Sequence, residues 1–92
     1  MAKATVWKFE IEPGHNVIAM PEGARPLSVQ EQGATVQMWA LVPLPAAVMI
    51  DRYFECYGTG HEILGVDGLV FIGTFQITGG SPLVFHLFER TR

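Results

Sequence analysis

The sequence predicts an all-β fold, a small antiparallel β-sandwich or barrel of about seven strands, forming a single domain over residues 1–92. Three observations carry that expectation. Apolar residues recur with period two along most of the chain, which places them on one face of a strand. Glycine and proline pairs punctuate the chain at intervals of roughly 8–12 residues. No stretch keeps a helical period, and Pro45-Ala46-Ala47-Val48-Met49 offers one helical turn at most before Tyr53, Phe54 and Tyr57 pull the chain towards strand.

The elements follow in order. Across residues 5–12, Trp7, Phe9 and Ile11 share one face while Lys8, Glu10 and Glu12 share the other, and Pro13-Gly14 ends the strand. Residues 16–20 form a second short strand, closed by Pro21-Glu22-Gly23. In residues 26–31 Leu27 and Val29 are expected to point together, and Gln32-Gly33 reads as a hairpin turn into a strand over 34–42. That fourth strand starts alternating and turns apolar on both faces at Trp39, as a central strand or one under a subunit contact does. Pro43-Leu44-Pro45 is expected to break it, because proline donates nothing to a ladder and restricts the residue before it. In the fifth strand, 48–57, Ile50, Arg52, Phe54 and Cys56 read as the core face, with Arg52 the exception. Met49, Asp51, Tyr53, Glu55 and Tyr57 read as the solvent face. A glycine-framed connection then leads to strands over 69–77 and 82–89, joined by Thr78-Gly79-Gly80-Ser81 as a hairpin.

Composition bounds the function. Hydrophobic residues make up 49% of the chain and charged residues only 16%, against about 25% charged in an average soluble domain. A small chain with so few polar groups is expected to hide an apolar patch under a second copy or a partner. The last two strands sharpen this. Leu69, Phe71 and Phe75 read as one side with Val70 and Ile72 on the other, and Leu83, Phe85 and Leu87 back onto Val84 and Phe88. One such face fills a sandwich core; the other needs separate cover. The expectation is a homo-oligomer whose interface uses Val70, Ile72, Val84, His86, Phe88 and Trp39.

The net charge is −3, and the basic residues Lys3, Lys8, Arg25, Arg52, Arg90 and Arg92 are scattered. Nucleic acid and membrane are therefore not expected partners, since both need clustered cations. One cysteine, Cys56, and an N-terminal segment interrupted by Lys8 and Glu10 read as a cytoplasmic protein without a signal peptide.

Gly58-Thr59-Gly60-His61 is the most suggestive loop. Two glycines around a hydroxyl residue can turn successive N–H groups towards an anion, His61 can add a donor, and Arg52 or Arg25 can add charge. No helix follows, so the helix N-terminus of a glycine-rich phosphate loop is missing, and a plain turn competes with this reading. His15, His61 and His86 lack the close spacing of a metal site, and no cofactor is expected. His86 shares a strand face with Val84 and Phe88 and reads as a half-buried histidine bonded to backbone or to a partner chain. Ser28, Ser81 and Cys56 lack the context of a nucleophile, Cys56 reading as a small buried hydrophobe, and Asp51 and Glu55 read as solvent-face carboxylates. No catalytic residue is assigned, and a non-enzyme is expected.

Several motifs fall in a recognisable series: Val6-Trp7-Lys8-Phe9, Met20-Pro21-Glu22-Gly23-Ala24, Leu27-Ser28-Val29-Gln30 and Trp39-Ala40-Leu41-Val42. Tyr57-Gly58-Thr59-Gly60-His61, Ile72-Gly73-Thr74-Phe75-Gln76 and Val84-Phe85-His86-Leu87-Phe88-Glu89 complete it. The series resembles a family of small uncharacterised proteins of bacteriophages and prophages, over nearly the whole chain. The resemblance implies a phage-encoded accessory protein in the host cytoplasm and carries no activity with it. The functional expectation is a homo-oligomeric binding module that meets a host or phage protein. Sequestration of a nucleotide-type signal by the 58–61 loop is the alternative, and a minor virion component the second alternative.

Overall fold

The computed structural model describes residues 1–80 and 82–91. Seven strands follow one another: β1 Lys3–Ile11, β2 Gly14–Pro21, β3 Arg25–Gln32, β4 Thr35–Leu44, β5 Met49–Gly58, β6 Leu69–Ile77 and β7 Leu83–Arg90. A 3-10 turn at Val66–Gly68 leads into β6. The strands form two antiparallel sheets, sheet A in the order β1-β4-β3 and sheet B in the order β2-β5-β7-β6. The molecule is thus an all-β sandwich, with β4 central in sheet A as its apolar faces suggested.

Period two builds the core directly. Ile11 from β1, Met20 from β2, Met38, Ala40 and Val42 from β4, Phe54 from β5 and Leu87 from β7 are buried between the sheets. Trp7, Phe9 and Ile18 pack against them from the margin. Cys56 is buried in the same core, as expected.

Three local readings change. Leu27 and Val29 do not point together: the β3–β4 register slips between Pro26 and Ser28, so Leu27 is 45% exposed while Val29 is buried. A bulge adds one residue to one strand, and every side chain beyond it changes face. The β6–β7 register slips in the same way between Phe71 and Gly73. Phe71 therefore lies on the outer face and Phe75 in the core, although alternation put them on one side. Finally, β4 continues through Pro43 to Leu44. Its ladder with β3 ends at Leu41, so Pro43 stands opposite Ala4 of β1 alone, where a missing donor is tolerated.

One flank of the sandwich is closed and the other open. On the closed flank β3 lies beside β6: a Cβ on Gly73 would meet Val29 Cγ1 at 3.1 Å, a tight contact that glycine avoids. Thr78 also donates from its backbone N–H and hydroxyl to Glu31 Oε1, at 3.2 and 2.7 Å. On the open flank β1 and β2 are consecutive in the chain, yet no ladder joins them.

Because β5 and β6 both run antiparallel to β7, the chain between them must cross it. β5 ends with Gly58 opposite Phe85, and β6 begins with Leu69 opposite Arg90. Residues 59–68 therefore travel along the sheet as well as across it, like a strap.

Candidate functional site

The outer face of sheet B is organised around one ion pair. On β5 the outward residues are Met49, Asp51, Tyr53, Glu55 and Tyr57; on β7 they are Val84, His86, Phe88 and Arg90. Arg90 forks onto Glu55, Nε to Oε2 at 2.6 Å and one Nη to Oε1 at 2.9 Å. Its guanidinium also donates to the carbonyls of Leu64 and Gly65, which holds the strap over this face. Tyr57 donates its hydroxyl to Glu55. Glu55 is consequently 6% exposed and is not the solvent-face carboxylate that alternation suggested. The Arg90 hydrogen bonds, partly opposed by burial and aided by Tyr57, pull its carboxyl from 4.5 down to about 2. The same bond to Glu55 pushes the Tyr57 phenol up.

Aromatic rings continue from this pair across the strands. Tyr57 meets Phe88 edge-on with centroids 6.2 Å apart, and Phe88 meets Phe71 edge-on at 5.6 Å. These edge-to-face contacts match the ring quadrupoles. Phe71 remains 57% exposed, Tyr53 52% and Val17 of β2, opposite Tyr53, 62%. Strap residues Leu64 and Val66 are exposed beside them.

The predicted ligand set is not assembled. Arg52 points inward and forks onto Glu89 through Nε and one Nη at 2.7 Å each, while its other Nη donates to the Ala24 carbonyl. Arg25 opens β3 opposite Leu41. Arg52 lies six residues of extended strand from Gly58, about 20 Å, so neither its charge nor that of the Ala24–Arg25 corner reaches the loop. Gly58, Thr59, Gly60 and His61 form a turn closed by His61 N–H donating to the Gly58 carbonyl at 3.1 Å. Thr59 N–H donates to the Val84 carbonyl at 3.2 Å. Two of the N–H groups that an anion nest would offer are thus engaged. What the loop does form, with Pro82, Leu83, Val84 and Phe85, is an open depression of about 480 Å³ beside Thr59 and His61.

The predicted interface residues divide among three places. Val84, His86 and Phe88 share the outer face of sheet B, as read, and Val70 is exposed at the start of β6. Ile72 packs against the core, because it alternates with Phe71, which faces outward opposite Phe88. Trp39 is half-buried on the outer face of sheet A, so it belongs to the opposite side of the slab. His86 bridges two hydroxyls, Thr59 Oγ1 to Nε2 at 2.7 Å and Thr74 Oγ1 to Nδ1 at 2.9 Å. Within the chain its ring partners are thus side-chain hydroxyls, where backbone or a partner chain was expected.

Among the described residues no group of three or more His, Cys, Asp or Glu side chains gathers around a possible metal position. Burial pushes the Cys56 thiol up to about 11, which keeps it in the unreactive thiol form. Ser28 pairs opposite Trp39 on β3, and Ser81 lies outside the described residues. Among the described residues no helix is long and apolar enough to cross a membrane.

Sequence reasoning missed the Glu55–Arg90 pair. A signal was present: Arg52 and Glu55 on one strand and Glu89 and Arg90 on another are opposite charges of opposite parity, which antiparallel pairing can match on both faces. Without the register, nothing says that it does.

No curated protein and no solved structure matches the chain. Residues 2–92 match the model of a domain of unknown function (DUF7352), and the chain belongs to that family.

Proposed function

We propose that this protein is a non-enzymatic interaction module that works as a homo-oligomer and associates through sheet B. The observation that carries this reading is the exposed apolar set Val17, Tyr53, Phe71 and Val84 around a satisfied Glu55–Arg90 pair. Its shape supports the same reading. The molecule is a slab of 45 × 31 × 19 Å with a radius of gyration of 13.8 Å, where a compact chain of this length has about 12 Å. It exposes 5880 Å², against about 5,300 Å² for a compact monomer of its mass. Surface of this kind, poor in charge, is stabilised by burial against a partner.

Native mass spectrometry over a range of protein concentrations tests the proposal. A symmetric oligomer is expected, and a monomer at every concentration sinks it. Sequestration of a nucleotide-type signal keeps one supporting observation, the depression beside Thr59 and His61. A copurifying small mass, or a rise in melting temperature with a nucleotide, favours that reading, and a flat response across a nucleotide panel removes it.

A phage accessory role in the host cytoplasm, with a host or phage protein as further partner, is the biological setting we attach to this module. It rests on the ordered series of motifs in the sequence. Pull-down from infected cells tests it, and recovery of the chain in purified particles favours a virion component instead.

A further inference from the structure

We infer that a second copy of this chain pairs along the free edge of β2, antiparallel and centred on Val17, joining the two copies of sheet B into one continuous sheet. The inference rests on the homo-oligomer reading above and names the surface it uses.

Sheet edges are ordinarily guarded against pairing by lysines, bulges or cover from neighbouring chain. β3 and β6 carry bulges and lie against each other. β1 carries Lys3, Lys8 and Glu10. β2, with the sequence GHNVIAMP, has no Asp, Glu, Lys or Arg and pairs with β5 without a register shift. It is an uncharged edge without a bulge on the open flank, with Val17 62% exposed and only the Gly14 carbonyl at its start taken, by Asn16 Nδ2 at 3.3 Å. Such an edge presents a row of backbone groups to another strand.

The sequence of β2 can face its own reverse without a clash of charge. Centred on Val17, an antiparallel twofold sets Asn16 opposite Ile18, His15 opposite Ala19 and Gly14 opposite Met20. Pro13 then stands opposite Pro21, so residues with no N–H fall together just where the ladder ends. No charge meets a like charge in this register. Because Val17 is the neighbour of Tyr53, the outer face gains an unbroken apolar row from Tyr53 through Val17 to the same residues of the second copy. The strap favours the edge over face-to-face stacking, since Leu64 and Gly65 sit on Arg90 over the outer face of the β5–β7 ladder. Pairing of one short strand buries less than the roughly 800 Å² per partner of a standard interface, so the association is reversible and depends on concentration.

Three variants test the register. Opposed residues in an antiparallel pair have Cα atoms about 4.5 or 5.5 Å apart, within disulfide reach. V17C is therefore expected to give a covalent dimer on mild oxidation, while wild type, whose Cys56 is buried, gives none. L83C, on the exposed start of β7, controls for random collision and is expected to give at least tenfold less dimer. V17K brings two lysines together on the twofold and is expected to weaken association at least tenfold in sedimentation, with unchanged circular dichroism. A wild-type monomer at every concentration overturns the homo-oligomer reading and this one with it. A wild-type oligomer that V17K leaves intact, with V17C dimer no greater than L83C dimer, overturns the β2 pairing alone and moves the contact to the Phe71 and Val84 face.

Discussion

Strands β5 and β7 carry two arginine–glutamate pairs, one on each side of the same ladder, and the two differ in what surrounds them. Arg52–Glu89 faces inward, with both side chains about one-sixth exposed at 16% and 15%, and the spare arginine nitrogen closes the Ala24 carbonyl at the β2–β3 corner. Arg90–Glu55 faces outward, and its carboxylate is the more sheltered at 8% because Tyr57 and the strap cover it. Each pair is diagonal across the register that sets Phe54 opposite Glu89 and Tyr53 opposite Arg90. The inner pair ties two strands of sheet B to the corner that leads into sheet A, whereas the outer pair ties a crossing segment to the sheet beneath it. Burial alone therefore does not say what an ion pair does; the backbone groups it also satisfies do.

The inner pair should be the costlier one to break. Arg52→Ala leaves Glu89 and the Ala24 carbonyl without their partner and is expected to cost about 3 kcal/mol in urea denaturation. Replacing both partners, Arg52→Met with Glu89→Leu, is expected to recover most of that loss, because a buried pair competes closely with apolar packing of similar volume. A double variant as unstable as the single one would mean that the carbonyl contact dominates.

The outer pair should show itself through pH. Glu55 has its folded value lowered from 4.5 to about 2, so its stabilisation is present in full above the unfolded value and is lost as pH falls through the window between them. Wild type is expected to lose about 2 kcal/mol between pH 5 and pH 2 from this group. Glu55→Gln is expected to be less stable by about 1–2 kcal/mol at pH 7 and to show a correspondingly flatter acid limb. Faster amide exchange in residues 61–66 of that variant, with the sheet core unchanged, would sharpen the assignment of the pair to the strap. Uniform loosening would break it.

The smallest effect is expected at His86. Thr74→Val removes one of its two hydroxyl partners on the partly exposed face and should cost about 0.5–1 kcal/mol by thermal unfolding. The Thr59 contact keeps the ring in place, so the shift of its imidazole resonances in NMR should be confined to the Nδ1 side.

Much of this was legible in the chain. The strands, their turns and the inward set Trp7, Phe9, Ile11, Phe54 and Leu87 follow from period-two alternation, and β6 runs over residues 69–77 as read. Val84, His86 and Phe88 were placed together correctly for the same reason. The separations of Leu27 from Val29 and of Phe71 from Phe75 share one cause: a bulge stands between the two members, and a single extra residue reverses the parity on which a face assignment depends, while Ile72 simply alternates with the outward Phe71. Glu55 was misplaced for another reason. Its strand parity was right, but the strap that shelters it comes from residues whose path depends on β7.

By itself the sequence determined the kind of element, the face of each side chain between bulges, and the shortage of charge. Those properties are local, written in alternation and composition. Only the tertiary structure decided that β5 lies beside β7, which sets the two ion pairs on opposite faces, draws residues 59–68 over sheet B and leaves β2 as an edge. Those depend on pairing residues far apart in the chain, where the same alternating pattern satisfies many registers and the packing of the whole selects one.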